Sequence, residues 1–239
     1  MRKKYGCKSI QKDYVMQKES NTRGLRKAER ARKIITKILI SAIVSCAGKG
    51  GVPRYNVTCV MTDKNGAGVT VISHDSEIRT LVDGCEPPGC YKRNIKYTGA
   101  SLSQLEELAR LSSRCEQFIK YECRNSQLFK NEVNKVIGWW VSRNGNDMNY
   151  WGGASPGNGK QICACGVNNS CVRASTSLVC NCDKNDNVWR EDSGLLTDKT
   201  HLPVKQLRFG DTLDENENNG EDKEHGYHTL GKLKCYDIF

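Results

Sequence analysis

Cys163-Ala164-Cys165, Cys171 and Cys180-Asn181-Cys182 place five cysteines within about twenty residues, in a chain that holds 13 in all. Tryptophan- and glycine-rich runs flank them. Gly138-Trp139-Trp140 and Tyr150-Trp151-Gly152-Gly153 lie upstream, and Trp189 and Asp192-Ser193-Gly194 lie downstream. Cysteines at this density persist as disulfides where the surroundings are oxidising. Zinc is the alternative, but structural zinc sites space their ligands more widely and often add histidine. No histidine lies between Cys163 and Cys182. Spacing does not determine connectivity. Cys115 and Cys123 are expected to form a local bridge, and Cys163, Cys165, Cys171, Cys180, Cys182 and Cys235 to pair among themselves.

The formal charge of +10 suggests a nucleic-acid binder until it is located. Residues 1–37 carry 13 Lys/Arg against 3 Asp/Glu, and the remaining residues carry 24 of each. The body therefore has no basic field with which to track phosphates, which excludes a nucleic-acid partner. Lys27, Arg30, Arg32, Lys33 and Lys37 precede the apolar run Ile38–Val44, and the small residues Ser45 and Ala47 follow. This order resembles a cleavable signal segment. Residues 1–47 are expected to be a basic leader, without structure over 1–33, and residues 48–239 the mature extracellular domain. A type II anchor through residues 34–47 is the alternative. The apolar run is short for a span, and no membrane span is expected in the body. Asn56-Val57-Thr58 and Asn168-Asn169-Ser170 are glycosylation sequons.

Alternating apolar residues at 55–61 and 69–72 flank Asp63-Lys64-Asn65-Gly66, a hairpin pattern. A third strand is expected over 91–97. Leu102, Leu105, Leu108 and Leu111 recur at helical spacing over 102–112. Ser101 or Ser103 can cap that helix, and Ser103-x-x-Glu106 fits a capping box. Strands are expected at 116–123, 136–142, 204–209 and 228–235. Turn-rich segments fill much of 143–187, and residues 211–224 form an acidic loop.

Together these pieces resemble the fibrinogen C-terminal-like module of the contactin-associated protein (neurexin-IV) family. The resemblance runs over roughly 55–236. It rests on the opening hairpin, Ser73-His74-Asp75-Ser76-Glu77, Cys115–Cys123, Tyr150–Gly153, the two C-x-C pairs, Trp189, Asp192–Gly194, His201-Leu202-Pro203-Val204 and Phe209-Gly210-Asp211-Thr212. It implies a disulfide-rich α+β domain with an antiparallel sheet, few helices and long loops. Cys85 and Cys90 depart from the family pattern, and a local bridge between them would account for both. The module's opening stretch, which usually supplies a partner for Cys59, is replaced by the leader. Discoidin, laminin-G and EGF-like modules of the family's large mosaics do not occur here.

No catalytic motif is present: there is no G-x-S-x-G, H-E-x-x-H or P-loop. Asp183, Asn185, Asp186 and Asn187 offer oxygens to calcium, but the spacing fails as an EF-hand. An Asx-rich turn is the competing reading. Trp139 or Trp140, and Trp151, read as core; an exposed Trp140 or Trp189 would favour a ligand site. The leading expectation is an extracellular, secreted, non-catalytic module of cell adhesion or cell–cell signalling, with a protein or glycan ligand. The alternatives are a secreted fibrinogen-related lectin for acetylated sugars and a gene fragment without independent function.

Overall fold

The computed structural model describes residues 8–14, 38–45, 53, 55–61, 68–82, 84–130, 135–155, 157, 162–172, 178–213 and 223–238. The strands in chain order are β1 (Lys8–Tyr14), β2 (Ile38–Ser45), β3 (Tyr55–Met61), β4 (Gly68–Ile72), β5 (Thr80–Val82) and β6 (Tyr91–Asn94). Helix α1 (Leu102–Leu111) leads directly into the long β7 (Ser112–Arg124). There follow β8 (Phe129–Lys130), β9 (Lys135–Val136), β10 (Trp139–Val141), β11 (Asp147–Met148) and the single-turn α2 (Ala164–Val167). The chain closes with β12 (Arg190–Leu196), β13 (Gln206–Phe209), β14 (His225–Leu230) and β15 (Leu233–Ile238).

Nine strands form the main sheet in the order β1-β2-β3-β4-β15-β7-β14-β5, with β12 also on β7. A second sheet runs β11-β10-β13-β6, and β8 pairs with β9. The architecture is antiparallel sheet with few helices, as the sequence led us to expect. The opening hairpin is formed, with Thr58 opposite Val71 and Val60 opposite Val69. Its turn at 62–67 lies outside the described residues. The strand expected over 91–97 is the shorter β6, and it pairs with β13. The single closing strand expected over 228–235 is instead two strands, β14 and β15, separated by Gly231-Lys232.

Strand β7 organises the main sheet. Cys115, Gln117, Ile119, Tyr121 and Cys123 are buried, and Glu116, Phe118, Lys120, Glu122 and Arg124 alternate with them. This period-two pattern gives the strand one core face and one solvent face. Its first half pairs with β15 and its second half lies between β12 and β14. On the core face the Tyr121 ring stacks on Phe209 of the second sheet, with centroids 4.5 Å apart. Trp151 meets Phe209 edge-on at 5.7 Å, and His228 stacks on it at 5.9 Å. These rings bind the two sheets together. Buried Gln117 is fully engaged: its amide donates to Gly231 O and Tyr97 Oη, and its carbonyl accepts from Val204 N.

The leucine stripe of α1 is core, with Leu105, Leu108 and Ala109 fully buried. The cap differs from one expectation. Ser101 Oγ accepts from Gln104 N while Gln104 Oε1 accepts from Ser101 N, a reciprocal box at Ser101 rather than Ser103. Ser103 is already inside the helix, whereas Ser101 holds the extended backbone that an N-cap requires.

Among the described residues five disulfides are formed: Cys85–Cys90, Cys115–Cys235, Cys123–Cys182, Cys163–Cys180 and Cys165–Cys171. The expected Cys115–Cys123 bridge is therefore wrong. Both residues lie on the extended β7, where eight residues span roughly 26 Å, far beyond disulfide reach. The expected pairing of the six later cysteines among themselves is also wrong. Cys235 stands opposite Cys115 across the β15–β7 ladder, and Cys182 is drawn to Cys123. Cys7, Cys46 and the side chain of Cys59 lie outside the described residues.

Within residues 1–47, expected to be a leader, two segments are strands. β1 falls in the stretch expected to lack structure, and the apolar run is β2, paired to β3 from Ile38–Met61 to Val44–Tyr55. A run rich in isoleucine and valine suits a strand as well as it suits a signal segment. The rest of 1–47, and residues 214–222 of the acidic loop, lie outside the described residues. No helix among the described residues is long and apolar enough to cross a membrane.

Candidate functional site

The motifs Tyr150–Gly153 and Asp192–Gly194 meet in space. A Cβ on Gly152 would lie 2.5 Å from Gly194 N, and one on Gly194 would lie 2.6 Å from the Gly152 carbonyl carbon. Only two glycines let these backbones touch. Beside them, the buried Trp151 indole N–H donates to Asp192 O at 2.9 Å. The Asp192 carboxylate in turn accepts from Asn181 N and Cys182 N, both at 2.9 Å. Burial lifts the Asp192 carboxyl to about 6, although those two amide donors favour its charged form. One junction thus ties the tryptophan loop, β12 and the second C-x-C pair together. The Cys123–Cys182 bridge anchors it to β7.

The solvent face of the main sheet carries a groove over this junction. Register places Leu81, Tyr227, Glu122 and Glu191 in one row across β5, β14, β7 and β12. Arg79, Glu122, Asn181, Trp189, Arg190 and Glu191 line a cavity of about 530 Å³. Trp189 is 48 % exposed, whereas Trp140 and Trp151 are fully buried. Its ring stacks on His225 at 5.9 Å and leans on Tyr227 at 5.7 Å. Arg79 lies 3.3 Å over the other ring of this series, Tyr227, and pairs with Glu122 at 2.9 Å. Lys120 reaches both Glu122 (3.2 Å) and Glu191 (3.6 Å). Sequence reading singled out Trp189 alone of these residues. The alternation of β7 was the available signal for Glu122. The rest of the row depends on register, which the sequence does not display.

The four candidate calcium residues turn to different partners. Asp183 points inward, where its carboxylate accepts from Phe129 N at 2.8 Å and Leu128 N at 3.3 Å. Burial raises its carboxyl well above the ordinary range. Asp186 is held by Arg190 at 2.5 and 2.7 Å, and Asn187 Oδ1 accepts from Arg124. Asn185 adopts the left-handed conformation that ends a short 3₁₀ turn. Among the described residues, the groups close enough to share an ion are Glu86, Asp211 and Glu224, and Cys163, Cys180 and Asp192. The cysteines of the second group are bonded to each other. Of the sequon asparagines, Asn56 lies in β3 and Asn168 is exposed at the end of α2.

The histidines are held by structural contacts. His74 Nε2 lies 2.8 Å from Gly231 O, His201 Nδ1 2.8 Å from Asp198, and His228 Nε2 3.0 Å from the Tyr91 hydroxyl. His201 closes a turn that begins at Asp198, just before the cis peptide Leu202–Pro203.

Fold and site define a disulfide-rich α+β domain, chiefly antiparallel, with a mixed-charge groove on one open sheet face. Known proteins resemble it strongly. Neurexin-4 of Drosophila melanogaster is 37 % identical over 192 residues, 79 % of this chain and 14 % of that protein. Contactin-associated protein 1 is 37 % identical in Mus musculus and 36 % in Homo sapiens, each over 189 residues. No protein-family model matches the chain. The aligned stretch is 13–14 % of the length of these relatives. Over that stretch the chain belongs to the contactin-associated protein (neurexin-IV) family.

Proposed function

We propose that the chain is an extracellular, non-catalytic recognition module of cell adhesion, with a fibrinogen C-terminal-like fold. The observation that carries this reading is the similarity to neurexin-4 and contactin-associated protein 1 across 79 % of the chain. The mouse and human relatives are named for association with contactin, and a cell-surface protein is the corresponding kind of partner for this chain. The five bridges support an oxidising compartment. We propose further that residues 48–239 are the secreted form, released by cleavage near Gly48 and glycosylated at Asn168.

The test is expression of the full chain in secretory animal cells, followed by N-terminal sequencing, a non-reducing mass map and binding of the product to live cells. A secreted, bridged product that decorates cell surfaces is expected. The intact chain found in the cytosol with free thiols would overturn the reading, as would a folded product that binds no cell.

A further inference from the structure

We propose that the groove beside Trp189 binds a neutral saccharide, stacking the apolar face of one sugar ring on the indole. This rests on the reading of the chain as an extracellular recognition module, and names the ligand class for its open sheet face. The first ground is the tryptophan. Folding gains nothing by leaving an indole 48 % exposed when Trp140 and Trp151 are fully buried. Nor does the ring swing free, because His225 stacks on one side and Tyr227 flanks it. A large flat apolar surface is thus fixed beside water with little conformational entropy left to lose on binding.

The second ground is the charge of the walls. Arg79 and Arg190 face Glu122 and Glu191, so the lining carries equal numbers of each sign. The charges are also neutralised in place: Arg79 by Glu122, Arg190 by Asp186, and Glu191 by Lys120. An anionic or cationic ligand would find no net field and would meet a like charge on either wall. A neutral polyol would not. Carboxylates accept several hydrogen bonds and guanidinium groups donate several, so both can serve adjacent hydroxyls without breaking their ion pairs.

The third ground is rigidity and size. Asn181 is locked between Cys180 and Cys182, with its carbonyl accepting from Val172 N and its amide donating to Glu191 O. The opposite wall is the β7–β12 ladder itself, with Glu122 opposite Glu191. The volume of about 530 Å³ lies within the usual range for small-ligand sites.

The experiment applies the product secreted by cells expressing the full chain to a printed array of defined neutral, sialylated and sulfated oligosaccharides, at low and high salt. Binding to a subset of neutral glycans is expected, insensitive to salt. Trp189→Ala should lower that signal by about tenfold or more, the loss of one good stacking contact. Trp189→Phe should retain part of it. Glu191→Gln, with its side chain largely in solvent, should weaken binding without altering the melting temperature. Binding only to sulfated or sialylated glycans, or only at low salt, would overturn the proposal, as would no array binding or an unaffected Trp189→Ala signal. Live-cell binding by the same protein separates the two failures. If the wild type decorates cells but binds no neutral glycan, the saccharide proposal falls and the recognition module stands.

Discussion

Gly152 and Gly194 have little room to change. Each would drive a Cβ to within about 2.6 Å of backbone atoms that cannot rotate aside. Gly152→Ala should therefore sit at or above the usual overpacking range, roughly 3 kcal/mol or more, and reduce secretion. Gly157→Ala is the control, because its Cβ would meet only Ser155 Oγ at 3.9 Å. Equilibrium urea melts of both variants test the contrast; equal stability would refute the close approach. Asp192 supplies a pH test at the same junction. Its carboxyl is raised to about 6 when folded, against roughly 3.9 unfolded. Folded protein thus binds the proton more tightly, and this contribution to stability is present at low pH and lost as pH rises through 6. The stability difference between wild type and Asp192→Asn should shrink by on the order of 2 kcal/mol between pH 4 and pH 7. His228 acts in the opposite sense. Burial lowers it to about 4, so its contribution is lost as pH falls below about 6.5. Melts of His228→Asn across the same range should show less acid destabilisation than wild type.

At the scale of elements, β7 is held from both ends by bridges of different reach. Cys115–Cys235 has a sequence separation of 120, Cys123–Cys182 of 59 and Cys165–Cys171 of only 6. If unfolded-chain entropy dominates, replacing Cys115 and Cys235 by alanine should cost about 2–3 kcal/mol more than replacing Cys165 and Cys171. Denaturant melts of the paired variants measure this directly, and a reversed order would mean that native-state packing dominates. Helix α1 offers a smaller, local effect. Ser101→Ala removes the acceptor for Gln104 N and should cost about 1 kcal/mol, whereas Ser103→Ala should be near neutral. The helix itself was legible because its leucines recur at a local period. The choice between Ser101 and Ser103 was not, because both stand at plausible boundaries and only backbone conformation separates them.

For the whole molecule, the core between the sheets is joined by rings from distant parts of the chain, and the loops at 143–187 are tied down by bridges. Reduction under native conditions should therefore lower the melting temperature by tens of degrees, or unfold the chain outright, since five bridges contribute several kcal/mol together. A reduced protein that melts like the oxidised one would show that packing alone suffices. Calcium offers a second whole-molecule measurement. Asp186 and Asn187 are engaged with arginines and Asp183 faces the core, so melts with calcium and with chelator should coincide. A rise of many degrees abolished by Asp183→Ala would place an ion there after all. The sequence by itself determined the family, the antiparallel class, the opening hairpin and the leucine helix, because each is written in residue types or in periods of a few positions. It also located the whole charge excess in residues 1–37. Tertiary structure alone decided which cysteines meet, because Cys115 and Cys235 become neighbours only when β15 pairs with β7. It alone turned two short glycine motifs into one contact. It alone brought Trp189, Tyr227, Glu122 and Glu191 together on one sheet face, because strand register acts between residues far apart in the chain.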